Sequence, residues 1–597
     1  MRRVSPTSLV GIGYGAVVLV AVIALLTPPA DGYEMSIYAA FPWYFWALLI
    51  GSLLIGHAIV LREGLSPGGE RPDWRLGLLL VVLGSAILVF LPYVRGYPYF
   101  ERADVLSHLG HIRTVQTTGS IGPENIYPNI HQLVLALSYA TGLEPMRVIN
   151  AVSGVVSLFS ILAAVALVAA VYDRRRALFS VPFAAVLIGG TAHMNPSPFA
   201  QSMLILPFVL YLFVREQQTH ALTVRIALAV SLVALVFYHP LTTLFALVFF
   251  AIYGVLQLPP VRKSLLSPEE GSDGLTGPGT AHRLLLGTFV AWYYNFSGML
   301  IRAESVLNTL FGSAGGESTL ESYSSTVSRT SPALVDLLRI LLLEYGTAIV
   351  VLGVSGLHLA TAVLERARSR ISMNVFEVSF SVAAMAFSAI AVLFLVFDLI
   401  VGFGRPLMAA RYFGVLVVGS LFFDLYRRTG ESPNVPRAAG FVLTILIAFS
   451  VFGLYHSPLT IGINQQVTEA ELDGSEWYLS QADGDVPHTE LGIDLYRFED
   501  AMIGFQADDV TKDPDPPPDH FGYATGDTLG GEYNESHYLV VTPAGRQFYP
   551  EVWPDYEQYW RYTPADFARL ETDPTVSRVY ANGGFETYRV TETNTTA

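Results

Sequence analysis

Cysteine is absent from this 597-residue chain, which excludes disulfides and thiolate metal centres. Lysine is nearly absent as well: Lys263 and Lys512 are the only two. Charged residues of all kinds make up 14% of the chain, against roughly 25% in an average soluble domain. There is no Gly-x-x-x-x-Gly-Lys phosphate loop, no His-Glu-x-x-His zinc motif and no Gly-x-Ser-x-Gly turn. Soluble nucleotide chemistry therefore has no support, and nothing points to nucleic acid. No internal repeat of the kind found in many secondary transporters is visible either.

What is present is apolar. Hydrophobic residues reach 52%, gathered into runs long enough to cross a bilayer as helices. Spans are expected at 8–27, 36–61, 76–94, 147–171, 177–192, 199–214, 221–238, 241–258, 284–300, 338–363, 376–401, 407–426 and 438–456, about thirteen in all. Alternate loops carry the arginines: Arg2/Arg3, Arg62/Arg71/Arg75, Arg174–Arg176, Arg215, Arg262/Lys263, Arg366/Arg368/Arg370 and Arg427/Arg428. By the positive-inside rule those loops are cytoplasmic, so the N-terminus is inside and the C-terminus outside. The apolar stretch after Arg2 and Arg3 has no small-residue cleavage site and is expected to stay as the first helix. Acids outnumber bases 50 to 35, with arginine in place of lysine, a composition suited to high salt and pointing to a halophilic source.

Four regions follow: N-terminal helices over 1–94, a large outer loop over 95–146, a helical core over 147–456 and an acidic outer domain over 457–597. In the last, SHYLVVTP, VSRVYANGG and FETYRV read as strands and TPADFARLETD as a capped helix. Asn-Gly-Gly between alternating runs predicts a hairpin. The fold class expected is an all-α polytopic membrane domain with a C-terminal extracytoplasmic α+β domain.

The chemistry concentrates in the outer loop. Asp104, His108 and His111 are spaced by four and three, one face of a helix, with Val105, Leu106, Leu109 and Ile112 opposite. Such a helix is expected to lie along the membrane surface. There, desolvation raises a carboxylate's pKa and suits it to general-base work, or else the polar face is simply solvated. Downstream, GTAHMNPSPFAQSM around His193 and FYHPL around His239 break apolar runs on the same side. Each reads either as irregular backbone lining a polar cavity or as an ordinary turn. Arg405 and Arg411 in GFGRPLMAARYF open a late span and are suited to a phosphate, to lipid headgroups or to pairing with Asp398.

The stretch RADVLSHLGHIRTVQTTGSI, followed by the Tyr-Pro-x-x-His of YPNIHQ (Tyr127 and His131), resembles the first outer loop of the C-type (GT-C) glycosyltransferases, archaeal members above all. The resemblance covers about 95–260 by motif and the rest by architecture. It implies a membrane glycosyltransferase that takes a sugar from a polyprenyl (dolichyl) phosphate donor. The acceptor would be a glycan or glycoprotein on the extracytoplasmic face of the cell membrane. It implies Asp104 as the base on the acceptor, with Glu101 as the second candidate. His108, His111, Tyr127, His131, His193, His239, Arg405 and Arg411 are the implied substrate contacts. A divalent cation, Mg or Mn, is the cofactor the family leaves open, although the loop has no Asp-x-Asp. Trp-Trp-Asp-Tyr-Gly, the acceptor motif of oligosaccharyltransferases, is absent, and neither EWYLSQ nor VWPDY replaces it. The competing readings are a transporter or flippase of lipid-linked glycans and a non-catalytic scaffold for surface-glycan assembly. Against transport stands the gathering of ionisable residues on one side.

Overall fold

The computed structural model describes residues 6–65, 73–265, 278–311, 319–367, 374–397, 402–506 and 511–592. Arg2, Arg3, Arg71, Arg368, Arg370 and Asp398 lie outside them. Helices come first in long runs: α1 Pro6–Leu26, α2 Trp43–Leu65, α3 Asp73–Val94, α4 Asp104–Thr118, α5 Pro128–Thr141, α6 Pro145–Val171, α7 Arg174–Ala184 and α8 Pro198–Thr219. Then follow α9 Leu222–Tyr238, α10 Pro240–Leu256, α11 Pro259–Leu265, α12 Gly279–Tyr293, α13 Ser297–Phe311 and α14 Thr319–Thr330. The last long helices are α15 Leu334–Ala367, α16 Val375–Phe397, α17 Gly404–Arg428 and α18 Asn434–Phe452. Among the described residues nine helices are long and apolar enough to cross a membrane, and α9 and α10 are shorter apolar helices. The protein is a multi-pass helical membrane protein. α17 and α8 are its most enclosed spans, 83% and 72% buried, and α1 is the most peripheral at 22%.

Small residues set the helix spacing, as they do where apolar lipid gives no drive for helices to associate. A Cβ on Gly56 of α2 would stand 2.8 Å from the Gly77 carbonyl of α3, so these two backbones touch.

Hydrogen bonds between loops define two faces. On one, Arg175 binds the Gly64 carbonyl and Glu431, Asn374 binds the Val171 carbonyl and Gln218 the Ala170 carbonyl. On the other, the Ala30 amide binds the Arg95 carbonyl, Asn464 the Glu34 carbonyl and Trp292 the Ile126 carbonyl.

Two expected spans take another form. The stretch 177–192 is not one helix. α7 is eleven residues long and contains Pro182; it gives way to a buried irregular segment and a 3₁₀ turn at Gly190–His193. Pro182 removes one backbone donor inside this short helix, which stops two residues later at Ala184. The stretch 284–300 is divided between α12 and α13 at residues 294–296.

After α18 the chain forms α19 Glu469–Gln481, α20 Leu495–Ile503, α21 Pro543–Gln547 and α22 Pro564–Arg569. Its strands are β3 His488–Leu491, β4 His537–Val541, β5 Val576–Ala581 and β6 Glu586–Val590, in sheet order β3-β4-β6-β5. β3 runs parallel to β4 and the other pairs are antiparallel. β5 and β6 are joined by the Asn-Gly-Gly turn, where the Asn582 side chain accepts from the Gly584 and Phe585 amides and Gly583 has φ +88°. α22 starts on a capping box between Thr563 and Asp566. This small α+β unit is tied to the segment between α3 and α4 by β1 Tyr99–Phe100, which pairs antiparallel with β2 Gln466–Val467.

Candidate functional site

α4 does not lie along an open membrane surface. Every residue from Val105 to His111 is buried, because one face packs on α5 and α6 and the other is covered by α20. The covering is close: a Cβ on Gly110 would meet the Asp500 carbonyl at 2.5 Å, so only glycine permits this approach. Phe505, just beyond α20, donates its amide to Thr114 and stacks on the His111 ring at 3.8 Å. The histidines therefore do not solvate a polar face. Burial lowers the pKa of His108 and His111 to about 3, helped for His108 by the charge on Arg497 and for His111 by His108, so both rings are neutral at pH 7.

These rings form a relay. Asn125 Oδ1 lies 2.9 Å from His131 Nδ1, and His131 Nε2 lies 3.1 Å from His108 Nδ1. With the Asn125 oxygen accepting, protons sit on both Nδ1 atoms and His108 keeps a lone pair on Nε2. From His108 a path of rings continues to Tyr127 at 6.3 Å and on to His239, stacked on Tyr127 at 5.0 Å. Phe199 follows at 5.2 Å, and the Arg405 guanidinium lies over that ring at 5.3 Å. His239 is the N-cap of α10; its Nδ1 accepts the Leu241 amide, leaving the proton on Nε2. Arg405 is exposed, and no acid among the described residues pairs with it.

The two carboxylates differ sharply. Asp104 opens α4 with its side chain 70% exposed and pairs with Arg497 of α20 at 2.7 Å. Arg497 also donates to Ser107, which in turn bonds to Asp500. Desolvation, expected at Asp104, falls instead on Glu101. That residue is 6% exposed, sits at φ +97° and has no counter-charge or hydrogen-bond donor on its carboxylate among the described residues. Burial raises its pKa to about 7. A non-glycine residue at such a φ is strained, and strain of this kind clusters at functional sites. Between them Arg102 is buried against Glu471 at 2.5 Å and binds the Gln466 and Gly492 carbonyls.

His193 and Arg411 stand apart from this group. His193 is enclosed by Ser157 and the Gly189 amide, beside a cavity of about 20 Å³ shared with Ser160 and Tyr412. That is room for one water, not for a substrate. Arg411 reaches Thr347 at 3.2 Å and its Nε has no partner among the described residues. The structure thus brings His108, His111, Tyr127, His131 and His239 into one series of ring contacts that reaches Arg405 through Phe199, and Asp104 adjoins it through Arg497. Glu101 adjoins them through the backbone, and His193 and Arg411 are left in a second, closed group.

Sequence reasoning missed Arg497, Arg102, Phe505 and Phe199. The first three work through contacts between the outer loop and the C-terminal unit, which no local spacing signals.

It also missed a charged group on the opposite face. His358, Glu377 and Asp424 have ligand atoms within 4.8 Å of one another. Ionisable residues therefore do not gather on one side, and that argument against transport falls. Arg176 binds Glu377 at 2.9 Å and Asp424 at 2.8 Å, so its guanidinium already occupies the space between the acids. Near Asp104, among the described residues, no three metal-ligating side chains converge, and a guanidinium holds the carboxylate.

No family profile and no curated protein matches the chain. Among solved structures it is similar to the oligosaccharyltransferase of Archaeoglobus fulgidus in its apo form: 12% identity, 79% of this chain, 70% of that chain, TM-score 0.45. The same enzyme in complex with Zn and sulfate gives 11% identity, 85% and 72% coverage and TM-score 0.43. ArnT from Cupriavidus metallidurans bound to undecaprenyl phosphate gives 12% identity, 86% and 98% coverage and TM-score 0.42. Likeness at this level carries no functional argument, and the reading below rests on the residues.

Proposed function

We propose that this chain is a membrane glycosyltransferase taking its sugar from a polyprenyl-phosphate donor. The observation that carries the reading is the series in which the exposed Asp104 pairs with Arg497, the Arg497 charge acts on His108, and rings lead on through Tyr127, His239 and Phe199 to Arg405, which no described acid pairs. A phosphate-binding cation and an accessible carboxylate at opposite ends of an aromatic wall suit transfer of a sugar between them. Arg405 binds the donor phosphate by paired hydrogen bonds, and His239 Nε2 adds a further donor. Asp104 takes the proton from an acceptor hydroxyl as its oxygen attacks the anomeric carbon, and the bond from that carbon to the phosphate oxygen breaks. Charge growing on the leaving polyprenyl phosphate is stabilised by Arg405. His108 and His131, neutral and linked, hold the α4 end of the wall in place, and Arg497 orients Asp104 until acceptor binds. The acceptor is a glycan or glycoprotein.

Arg174–Arg176, Arg215, Arg427 and Arg428 belong to the face opposite the site. By the positive-inside rule this supports a site and C-terminal unit outside the cytoplasm, with the N-terminus inside.

The test uses membranes holding the protein, a labelled polyprenyl-phosphate sugar and an extract of surface glycans. Label should move from the lipid to a water-soluble or protein-bound product, and Asp104→Asn should stop it at normal protein level. Failure of the wild type with every donor tried, together with movement of intact lipid-linked glycan between leaflets, would replace the reading with a flippase.

A further inference from the structure

A second concavity lies between the C-terminal unit and the membrane helices, and it shares no residue with the Asp104–Arg405 series. Its volume is about 460 Å³, within the range of about 300–1,000 Å³ typical of small-ligand clefts. One wall is the loop before α2 (36–39) and the first turns of α15, the floor is 458–461, and the other wall is the segment 551–556.

That segment is built to present aromatic rings. Residues Phe548–Val552 form a π-helical turn, which releases the chain from helical register. The Trp553 amide then binds the Tyr549 carbonyl and the Tyr556 amide binds the Trp553 carbonyl. The indole of Trp560 fixes the same Trp553 carbonyl from outside at 2.9 Å. Trp553 and Tyr556 come to rest 5.7 Å apart at 81°, forming a half-buried aromatic corner that faces the cleft.

The polar lining is Glu551, Asp555, Asp336 and Arg339. Asp336 and Arg339 pair at 3.3 Å along α15, while Glu551 and Asp555 are exposed and paired with no described residue. The cleft carries more negative than positive charge, which repels phosphate and uronate groups. Carboxylates accept only, so they call for a ligand rich in hydroxyl donors. A ligand with apolar C–H faces for the rings and hydroxyls for the acids is an uncharged sugar.

We propose that this cleft is a binding site for an uncharged oligosaccharide, a subsite that holds the glycan part of the acceptor while its far end reaches Asp104. The role as acceptor subsite rests on the glycosyl-transfer reading; the binding itself does not. Trp553 and Tyr556 take the pyranose faces, and Glu551 and Asp555 accept from ring hydroxyls.

The test is titration of the full chain in detergent with neutral mannose and glucose tetrasaccharides, followed by tryptophan fluorescence and saturation transfer. An acidic tetrasaccharide containing glucuronate is the comparison. At least one neutral tetrasaccharide should bind and the acidic one should bind more weakly. Trp553→Ala should weaken the neutral ligand about tenfold, the scale of losing one stacking contact, with binding of labelled polyprenyl-phosphate donor unchanged. Glu551→Gln with Asp555→Asn keeps both rings and the fold; it should weaken the neutral sugar while relieving the penalty on the acidic one. Equal affinity of wild type and both variants for the neutral sugar overturns the proposal, as does no binding by the wild type. Binding without any sugar transfer would sink the glycosyltransferase reading and leave the cleft as a sugar site.

Discussion

Two groups of buried histidines and acids sit on opposite faces of this membrane domain, and they are built on opposite principles. On the far face Arg176 answers both Glu377 and Asp424, and His358 bridges Glu377 at 2.9 Å to Ser381 at 3.0 Å. Ser420 closes the network by bonding to both Glu377 and Arg176. On the site face Arg405 has no acid among the described residues, Glu101 has no counter-charge, and Asp104 keeps most of its surface open to solvent. Charges removed from water are costly unless paired, so full pairing within the membrane is what stability alone demands. Arg405, exposed and without an acid against it among the described residues, carries no such internal pairing and stays open to a ligand's anion.

The comparison breaks first at Asp104. Replacing it with Asn keeps the shape and removes the base, and general-base loss costs about 10²–10⁴-fold in rate. Single-turnover transfer from a labelled lipid donor should fall by that much while thermal stability stays near wild type. Loss of stability with transfer rate intact would move Asp104 into the structural class. Arg176→Ala should do the reverse. It strands two acids removed from solvent, Glu377 fully and Asp424 in large part, at a cost of about 3–5 kcal/mol, read as a fall in the melting midpoint in detergent. The remaining folded fraction should still transfer sugar at the wild-type rate per molecule.

How far the two faces could be told apart from sequence follows from the range of each interaction. Apolar runs and arginine loops are local, so most of the long helices, the arginine-bearing face and the β5–β6 hairpin were legible. Helical spacing placed Asp104, His108 and His111 together, and Tyr-Pro-x-x-His supplied His131. What could not be read was the lid on that helix. Arg497 meets Asp104, and Phe505 meets His111, across almost 400 residues of chain, and this contact turned an expected surface helix into a buried one. His358, Glu377 and Asp424 were legible in principle, since acids within spans signal an interior partner, but they come from three different helices and no local spacing joins them.

A third test compares the two acids of the site. Glu101 titrates near 7 in the folded protein against 4.5 unperturbed, so the native state holds a proton that the unfolded chain has released between those values. Its contribution is full below about pH 4.5 and is lost as pH rises through about 7, a total of about 3 kcal/mol. Neutral His108 and His111 act oppositely: unfolded histidine takes up protons below about 6.5, so their contribution is lost as pH falls. Raw stability therefore mixes two slopes. The difference between wild type and Glu101→Gln separates them: it should decline between pH 4.5 and 7 and stay level above. A difference that is flat with pH would mean the carboxylate is solvated and its strained backbone serves some other end.

The smallest effect expected is the most specific to the comparison. Arg405→Lys retains a cation beside Phe199 but loses the planar fork that binds phosphate through two bonds. If Arg405 waits for the donor, KM for the lipid-phosphate sugar should rise about tenfold, the scale of one lost charge-assisted hydrogen bond, with thermal stability unchanged because no acid among the described residues loses a partner. The acceptor's KM should stay as it was, since the acceptor meets Asp104 at the other end of the wall. The same Arg-to-Lys exchange at Arg176, where both bonds are already made within the protein, should lower the melting midpoint and leave the donor's KM alone. A double dissociation of that form would establish that one guanidinium serves a ligand and the other serves the fold. Equal effects at both positions would remove the distinction on which the assignment of the site face rests.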